Sequence, residues 1–137
     1  MPTLHKKLFA TLFSLLLLSS AAQAADYEIL YRAKVHPDSD VARVEIRLRG
    51  EQLPNQLTLS LDPERHRSVT AEHGLRLDDN SAVWKPREPE DSLHYEFVID
   101  EQKASGSYDS LLTEHWAILR SDKLVPPIAA RVPKGLE

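Results

Sequence analysis

Hydrophobic and polar residues alternate along two long stretches of this chain. In residues 41–49 the apolar side chains Val44, Ile46 and Leu48 alternate with charged ones, and in residues 93–99 every second residue is apolar. A period of two, with β-branched or aromatic residues on one side and charges on the other, is typical of a strand with one buried face. The pattern therefore predicts a β-strand in each stretch.

Shorter strands are predicted at further places, separated by residues typical of turns. Residues 26–35 also alternate, and the turn residues 36–40 favour an antiparallel hairpin with the strand at 41–49. Other strands are predicted at 57–61, 68–71, 75–77, 82–84, 115–119 and in an extended segment at 125–132, with loops at 85–91 and 101–110. No stretch after residue 25 has an apolar period of 3.6. We therefore expect an all-β fold, a sandwich or a barrel, and of these an antiparallel β-sandwich of roughly seven to nine short strands.

The first 24 residues have the three parts of a secretory signal peptide. Two lysines form a positive start, residues 8–18 are apolar, and small residues lead to an A-x-A site that ends at Ala24. The apolar run is too short to span a hydrocarbon core of about 30 Å as a helix. We therefore predict a signal-peptide helix over 1–24, cleavage between Ala24 and Ala25, and a β-sandwich domain over 25–137 that is periplasmic or secreted.

Charge and cysteine content narrow the classes of function. The formal net charge is −4, and cleavage at Ala24 removes two lysines and no acid, so the exported form is more acidic still. Such a chain is a poor partner for nucleic acid or anionic lipid, because both attract Lys and Arg. The absence of cysteine excludes disulfides, thiolate catalysis and zinc sites built on cysteine. No later apolar stretch is long enough for a bilayer, so we expect no membrane attachment after cleavage.

Catalytic motifs are missing from the sequence. Glu114 precedes His115, but the second histidine of H-E-x-x-H, which would place two zinc ligands on one helix face, is absent. Ser107, Asp109 and His115 have the residue types of a hydrolase triad, but without the G-x-S-x-G turn that presents the nucleophile. We therefore predict no catalytic, metal-binding or cofactor-binding residues, and we interpret residues 104–110 as a loop.

Aromatic side chains are the remaining candidates for ligand binding. A tryptophan can bury a large apolar area, and we expect Trp84, in an apolar stretch, to belong to the core. Trp116 follows two polar residues near a predicted loop. It is therefore a candidate for holding a ligand, together with His115 and Tyr108.

A row of basic residues lies on one face of the strand at 41–49. It consists of Arg43, Arg47 and Arg49, with Glu45 between the first two. Such a row either receives a ligand carboxylate or is solvated opposite acids on the neighbouring strand. We expect the second arrangement.

Seven segments, taken in order, resemble those of a known family of domains. They are residues 27–31, 44–49, 83–84, 93–100, 106–109, 114–120 and 124–127. The arrangement resembles the N-terminal β-sandwich domain of the PDZ-associated glycyl-aminopeptidase-like metallopeptidases, and more closely an exported proteobacterial branch of peptidase-like proteins. In that family the sandwich precedes a thermolysin-like zinc domain with H-E-x-x-H and a downstream glutamate. Neither motif is found here, so the resemblance assigns no catalytic residue to this chain.

Two functions fit these observations. The first is a non-catalytic exported domain that packs against, or presents substrate to, a peptidase-like domain or another periplasmic protein. The chain ends at Glu137 where a new extended segment has begun, as expected of a leading domain or a truncated gene product. The alternative is a free-standing module that holds a peptide or glycan near Trp116. The first function predicts an apolar patch or unpaired strand edge and weak self-association, whereas the second predicts a monomer.

Overall fold

The computed structural model describes residues 27–36, 38–99 and 110–134, and these residues are mostly β-strand. The predicted signal peptide lies outside them. The strands are β1 (Tyr27–Val35), β2 (Val41–Gly50), β3 (Gln56–Ser60), β4 (His66–Ala71), β5 (Leu75–Asp78), β6 (Ser81–Trp84), β7 (Glu90–Val98), β8 (Leu111–Leu112), β9 (Ala117–Ile118) and β10 (Ile128–Arg131), with a helical turn α1 (Ser121–Leu124) before β10. The predicted all-β fold is confirmed.

Two four-stranded antiparallel sheets contain most of these strands. The order in the first sheet is β1-β2-β7-β4, and the order in the second is β10-β3-β6-β5. The predicted hairpin of β1 and β2 is confirmed, and its register runs unbroken from Tyr27 opposite Gly50 to Val35 opposite Ala42. β8 and β9 pair separately as a small hairpin.

The two sheets share one hydrophobic core. Every second residue of β2 and β7 is buried, as the alternation predicts. The second sheet contributes Leu57, Leu59 and Trp84, and the indole of Trp84 has no exposed surface. The prediction that Trp84 belongs to the core is therefore confirmed. In a chain without disulfides, this buried apolar surface is the main source of stability.

The segment from β8 to α1 closes part of this core next to β7 and β4. Three of its leucines pack against the core, namely Leu112, Leu119 and Leu124. The Tyr95 hydroxyl on β7 donates a hydrogen bond of 2.6 Å to the carbonyl oxygen of Leu124. Burial raises the pKa of that hydroxyl, and the neighbouring Tyr31 raises it further.

No helix in the described ranges has the length and apolar character needed to span a bilayer.

The structure differs from the sequence predictions mainly in this later part of the chain. The predicted strand at 115–119 is reduced to β9, because a tight turn between Thr113 and Trp116 takes up its first residues. The additional strand β8, where none was predicted, brings the strands of the described residues to ten, one more than expected. β4 begins at His66 rather than at residue 68, because these charged residues pair with β7.

Candidate functional site

Strand β1 lies at one edge of the first sheet and is exposed on both faces. It pairs with β2 along one side, and no described strand pairs with its other side. Ile29, Leu30 and Tyr31 are 38%, 42% and 45% exposed. Ile29 and Tyr31 share one face of the strand, and neighbouring large apolar side chains in contact with solvent are typical of a surface that another molecule covers.

Two of these side chains lie on the inner face of the sheet without being covered by the second sheet. Residues directly opposite each other in antiparallel strands project from the same face. Ile29 lies opposite the buried Leu48, and Tyr31 lies opposite the buried Ile46. The inner face of β1 is therefore apolar but open along its middle, whereas its two end residues pack against the core.

The free edge of β1 lacks three of the features that protect edges in natural sheets, although it carries the charged residues Glu28, Arg32 and Lys34. Natural edges are protected by short length, bulges or proline, and also by charged side chains. β1 pairs over nine residues in unbroken register and contains no proline. Of the other edge strands among the described residues, β4 has a register shift, and β5 and β10 have four residues each. The outward N–H and C=O groups of β1 are therefore placed to pair with a further strand.

The outer face of β1 presents charges of both signs around Leu30. Glu28 lies near one end of the strand, and Arg32 and Lys34 lie toward the other. Arg32 forms an ion pair with Glu45 of β2, with 3.0 Å between Nη1 and Oε2. The edge therefore combines an apolar inner face with an outer face whose charge changes sign along the strand.

The row of arginines on β2 is paired with acids. Arg43 lies 3.7 Å from Glu96 on β7, and Arg47 lies 2.7 Å from Glu45 and 3.5 Å from Glu90. Burial by itself raises the pKa of the Glu45 carboxyl, but the hydrogen bond and charge of Arg47 hold that pKa below its usual range. The predicted face of arginines opposite cross-strand acids is confirmed for Arg43 and Arg47.

The ligand candidates Trp116 and His115 lie on the β8–β9 hairpin, and Tyr108 lies outside the described residues. The Thr113 N–H donates to the carbonyl oxygen of Trp116 at 2.8 Å, and the Thr113 hydroxyl oxygen accepts the Trp116 N–H at 3.1 Å. Trp116 is 51% exposed and Ile118 is 60% exposed. Trp116 ends the turn and Ile118 lies two residues further on, in β9. The hairpin therefore presents a small apolar surface on a braced turn.

A cavity of about 430 Å³ lies beside the start of β4 and includes His66 in its wall. Nδ1 of His66 accepts the N–H of Asp62 at 3.1 Å, so the ring proton is on Nε2, which lies 3.2 Å from the carbonyl oxygen of Lys123. Burial lowers the pKa of His66, against the opposing effect of these two hydrogen bonds. Both ring nitrogens are thus bonded within the protein.

The neighbouring Arg65 is almost fully buried, at 4% exposure. Its guanidinium lies 4.4 Å from the centre of the Phe97 ring. It donates hydrogen bonds to the carbonyl oxygen of Val98 at 2.9 Å and to the Ser110 hydroxyl at 3.0 Å. Sequence analysis missed Arg65 and His66, because the charged residues around them look like a loop. Their bonds join β4, β7 and the segment that begins at Ser110, which gives this cavity wall a structural role.

Three side chains of the metal-ligand type converge at the other end of β4. The ligand atoms of Glu72, His73 and Asp91 lie within 4.8 Å of one another. The buried Asp91 carboxylate accepts the backbone N–H groups of Arg87 and Ser92, both at 2.8 Å, and lies 3.5 Å from Nδ1 of His73. Divalent cations bind ligands of these types. However, Glu72 is exposed, and the two backbone hydrogen bonds of Asp91 already compensate for the burial of its carboxylate. The cluster ties the turn after β4 to the start of β7.

Comparisons with known proteins do not identify a family for this chain. No protein family, no curated protein and no solved structure matches it. The resemblance to the peptidase-associated sandwich domain therefore stays a prediction, as do export and the absence of catalysis.

Proposed function

We propose that this protein is a non-catalytic, exported β-sandwich domain that docks an extended segment of a polypeptide along the free edge of β1. The observation that carries the proposal is that edge, which is nine residues long, unbulged and lined by Ile29, Leu30 and Tyr31. It is the kind of open edge expected of an accessory domain whose partner is another domain. Export rests on the predicted signal peptide at residues 1–24.

A segment added to β1 gains contacts from the backbone and from both faces of the sheet. Hydrogen bonds between main-chain groups supply affinity in strand addition, and alternate side chains supply specificity. On the inner face, apolar side chains of the segment would cover Ile29 and Tyr31. On the outer face, Glu28 and Lys34 favour a segment with charges of the opposite sign opposite each of them. The expected ligand is therefore an extended, proline-free segment with alternating apolar and charged residues.

The hydrogen bonds of His66 and Asp91 support a role without catalysis for these two side chains. A general acid or base must come within hydrogen-bond reach of the proton that it transfers. Both nitrogens of His66 are bonded to the backbone, and both oxygens of Asp91 accept backbone N–H groups. Purified protein loaded with zinc is accordingly expected to lack glycyl-aminopeptidase activity, and measurable activity abolished by a chelator would contradict this part of the proposal.

The docking function can be tested by selecting peptides that bind the processed protein. A library of displayed random decapeptides is panned against it, and selected peptides are titrated while backbone amide chemical shifts are followed by NMR. We expect peptides with alternating apolar residues whose largest shifts fall in β1. Selected peptides whose shifts lie elsewhere would contradict the proposal, and so would a library that yields no binder.

Two matched variants make this test specific for the edge. Ile29→Lys places a charge on the inner face of β1, which is a natural way to block strand addition. Leu77→Lys changes a comparably exposed residue, 51% exposed, on β5 at the edge of the second sheet. Binding is expected to be lost in Ile29→Lys and retained in Leu77→Lys, with both variants folded. Equal effects of the two substitutions would count against β1.

The exposed β8–β9 hairpin supports a second candidate function, the binding of a peptide or glycan at Trp116. Its supporting observation is the 51% exposure of an indole on a turn braced by Thr113. In the peptide titration, this function places the largest shifts at residues 113–118. Trp116→Ala would then abolish binding without unfolding the protein, whereas unchanged binding would exclude this candidate for the selected ligands.

A further inference from the structure

The sequence of β1 is self-complementary when the strand is paired antiparallel with a copy of itself. With Tyr31 at the centre, Glu28 lies opposite Lys34, and Ile29 lies opposite Ala33. The two strand ends, which are apolar, also meet. Residues opposite each other project from the same face, so this register joins opposite charges on the outer face and apolar residues on the inner face.

We propose that the segment received by β1 is β1 of a second copy of this chain, an inference that rests on the proposed docking at this edge. The two copies are related by a two-fold axis at Tyr31. Their first sheets then form one continuous antiparallel sheet across the axis. A two-fold contact of this kind uses the same patch on both copies, which is the usual way in which soluble homodimers form.

This arrangement covers the backbone groups and apolar side chains of β1 that the described part of a single chain leaves exposed. The outward backbone groups of β1 pair with those of the second copy, which removes the unprotected edge. On the inner face, the two Tyr31 rings meet at the axis, each next to Ile29 of its own chain. On the outer face, Leu30 lies opposite Arg32 of the second copy, where the aliphatic part of the arginine can pack on it.

The charges and the length of β1 together favour this arrangement over other pairings of the strand with itself. A parallel pair in register would place Glu28 opposite Glu28, and like charges directly opposite each other are unfavourable. An antiparallel pair centred at Leu30 would bring Glu28 opposite Arg32 and Lys34 opposite Asp26, which precedes β1, so Val35 would lie opposite no residue of the strand. Only the register centred on Tyr31 pairs the whole strand and places Glu28 opposite Lys34 on both sides of the axis.

Such a dimer is expected to be weak. Stable interfaces bury about 1,200–2,000 Å² in total, and smaller ones are typical of transient complexes. One strand pair with a few side chains lies at the lower end of this range. We therefore expect a dissociation constant in roughly the micromolar range.

Charge reversal at the two paired positions provides the test. Sedimentation velocity of the processed protein, from sub-micromolar to several hundred micromolar concentration, measures the dimer. Glu28→Lys or Lys34→Glu alone creates two like-charge pairs, so each is expected to raise the dissociation constant about tenfold. Mixing the two single variants restores opposite charges at both positions, and the mixture is expected to form a heterodimer about as tight as the parent homodimer. Arg131→Glu, on the edge strand β10, is the matched control and should leave the dimer unchanged.

The outcomes separate this inference from the proposed function. A dimer that responds to the single reversals and reappears in the mixture supports the second copy as the occupant of β1. A dimer that ignores both reversals, or a protein that stays monomeric throughout, overturns it. If that monomer still binds selected peptides at β1, the docking function stands and only the identity of its partner is wrong. If it binds none there, both proposals fail.

Discussion

The two edges of the first sheet are built in opposite ways. β4 has six residues, with a register shift between Arg67 and Thr70 and with Ser68 at a φ of 53°, a left-handed conformation that breaks the pairing pattern. Its first residue, His66, is buried and bonded to the segment that carries α1. β1 is longer, continuous and bonded to the rest of the described chain only through β2 along its length.

The difference indicates which side of the molecule is available to a partner. At β4, the chain uses a bulge and its own later residues to close the edge, and natural sheets use such devices to prevent unwanted pairing. At β1, the residues that the structure describes leave apolar side chains and backbone groups exposed. If an exposed edge were tolerated generally, β4 would not need its bulge and its covering segment. The contrast supports the proposed docking of a second polypeptide at β1.

The largest effect that this comparison predicts is on stability. We call the β4 side of the first sheet the closed side and the β1 side the open side. Phe97 on β7 is 1% exposed and packs against Arg65 and His66 on the closed side. Phe97→Ala is expected to lower the free energy of unfolding by about 3–5 kcal/mol. Tyr31→Ala, on the open side, is expected to cost no more than about 1.5 kcal/mol, because nearly half of that side chain is already in solvent.

Urea denaturation at sub-micromolar protein concentration measures both variants, with tryptophan fluorescence as the signal. The low concentration keeps any association at β1 out of the result. Equal losses at Phe97 and Tyr31 would mean that β1 is as tightly integrated as β7. The distinction between a closed and an open side would then be wrong.

A second large effect is expected at Asp91. Asp91→Ala leaves the backbone N–H groups of Arg87 and Ser92 without their acceptor, and the free energy of unfolding should fall by about 3 kcal/mol. His73→Ala should cost less, because both backbone bonds to Asp91 remain. The same denaturation experiment measures both. A larger loss of unfolding free energy in His73→Ala than in Asp91→Ala would show that the imidazole, and not the bonds from backbone N–H groups to Asp91, stabilises this end of β4.

The alternation of residues predicts the strands but not what covers them. β2 and β1 alternate in the same way, yet every second residue of β2 is buried and the middle of β1 is open. Alternation reports which side chains share a face, whereas coverage depends on how far the second sheet extends. The one local sign was Leu30, an apolar residue on the face that carries Glu28 and Arg32.

The polar residues of the interior were also beyond the reach of sequence patterns. The burial of Arg65 depends on partners distant in sequence, among them the oxygen atoms of Val98 and Ser110. Asp91 meets His73 in the same way, through the pairing of β4 with β7. Trp84 was predictable because its apolar neighbours already mark a buried strand. Local composition thus identifies apolar burial, while buried charge requires partners that only the fold supplies.

The closed side should weaken in acid because of His66. Burial lowers its pKa in the folded protein below the ordinary value of 6.5. Between these two values the unfolded chain binds more protons than the folded one, so the contribution of the neutral ring is complete above about pH 6.5 and declines as the pH falls below it. The free energy of unfolding should therefore decrease between about pH 7.5 and pH 5.5.

Two variants assign this decrease to His66. His66→Gln should show a smaller decrease over the same range, even if its stability is lower throughout. His115→Gln removes an exposed imidazole on the β8–β9 hairpin and serves as the matched control, with a pH curve like that of the parent. If the free energy of unfolding of the parent does not change with pH, or if it falls equally in the parent and in His66→Gln, then His66 does not make the closed side sensitive to acid.

The smallest effect is expected where charges connect β1 to the sheet. Glu45 is within ion-pair distance of Arg32 on β1 and of Arg47 on its own strand. Surface ion pairs contribute little, so Glu45→Gln should lower the free energy of unfolding by no more than about 1 kcal/mol, and less in high salt. Because the pKa of Glu45 is held below its ordinary value of 4.5, this contribution is present above that pH and is lost as the pH falls below it. Urea denaturation of parent and variant at low and high salt gives the comparison. A larger loss of unfolding free energy that persists in high salt would mean that ion pairs hold β1 to the sheet. The small loss expected here would mean that β1 is held mainly by its backbone hydrogen bonds to β2.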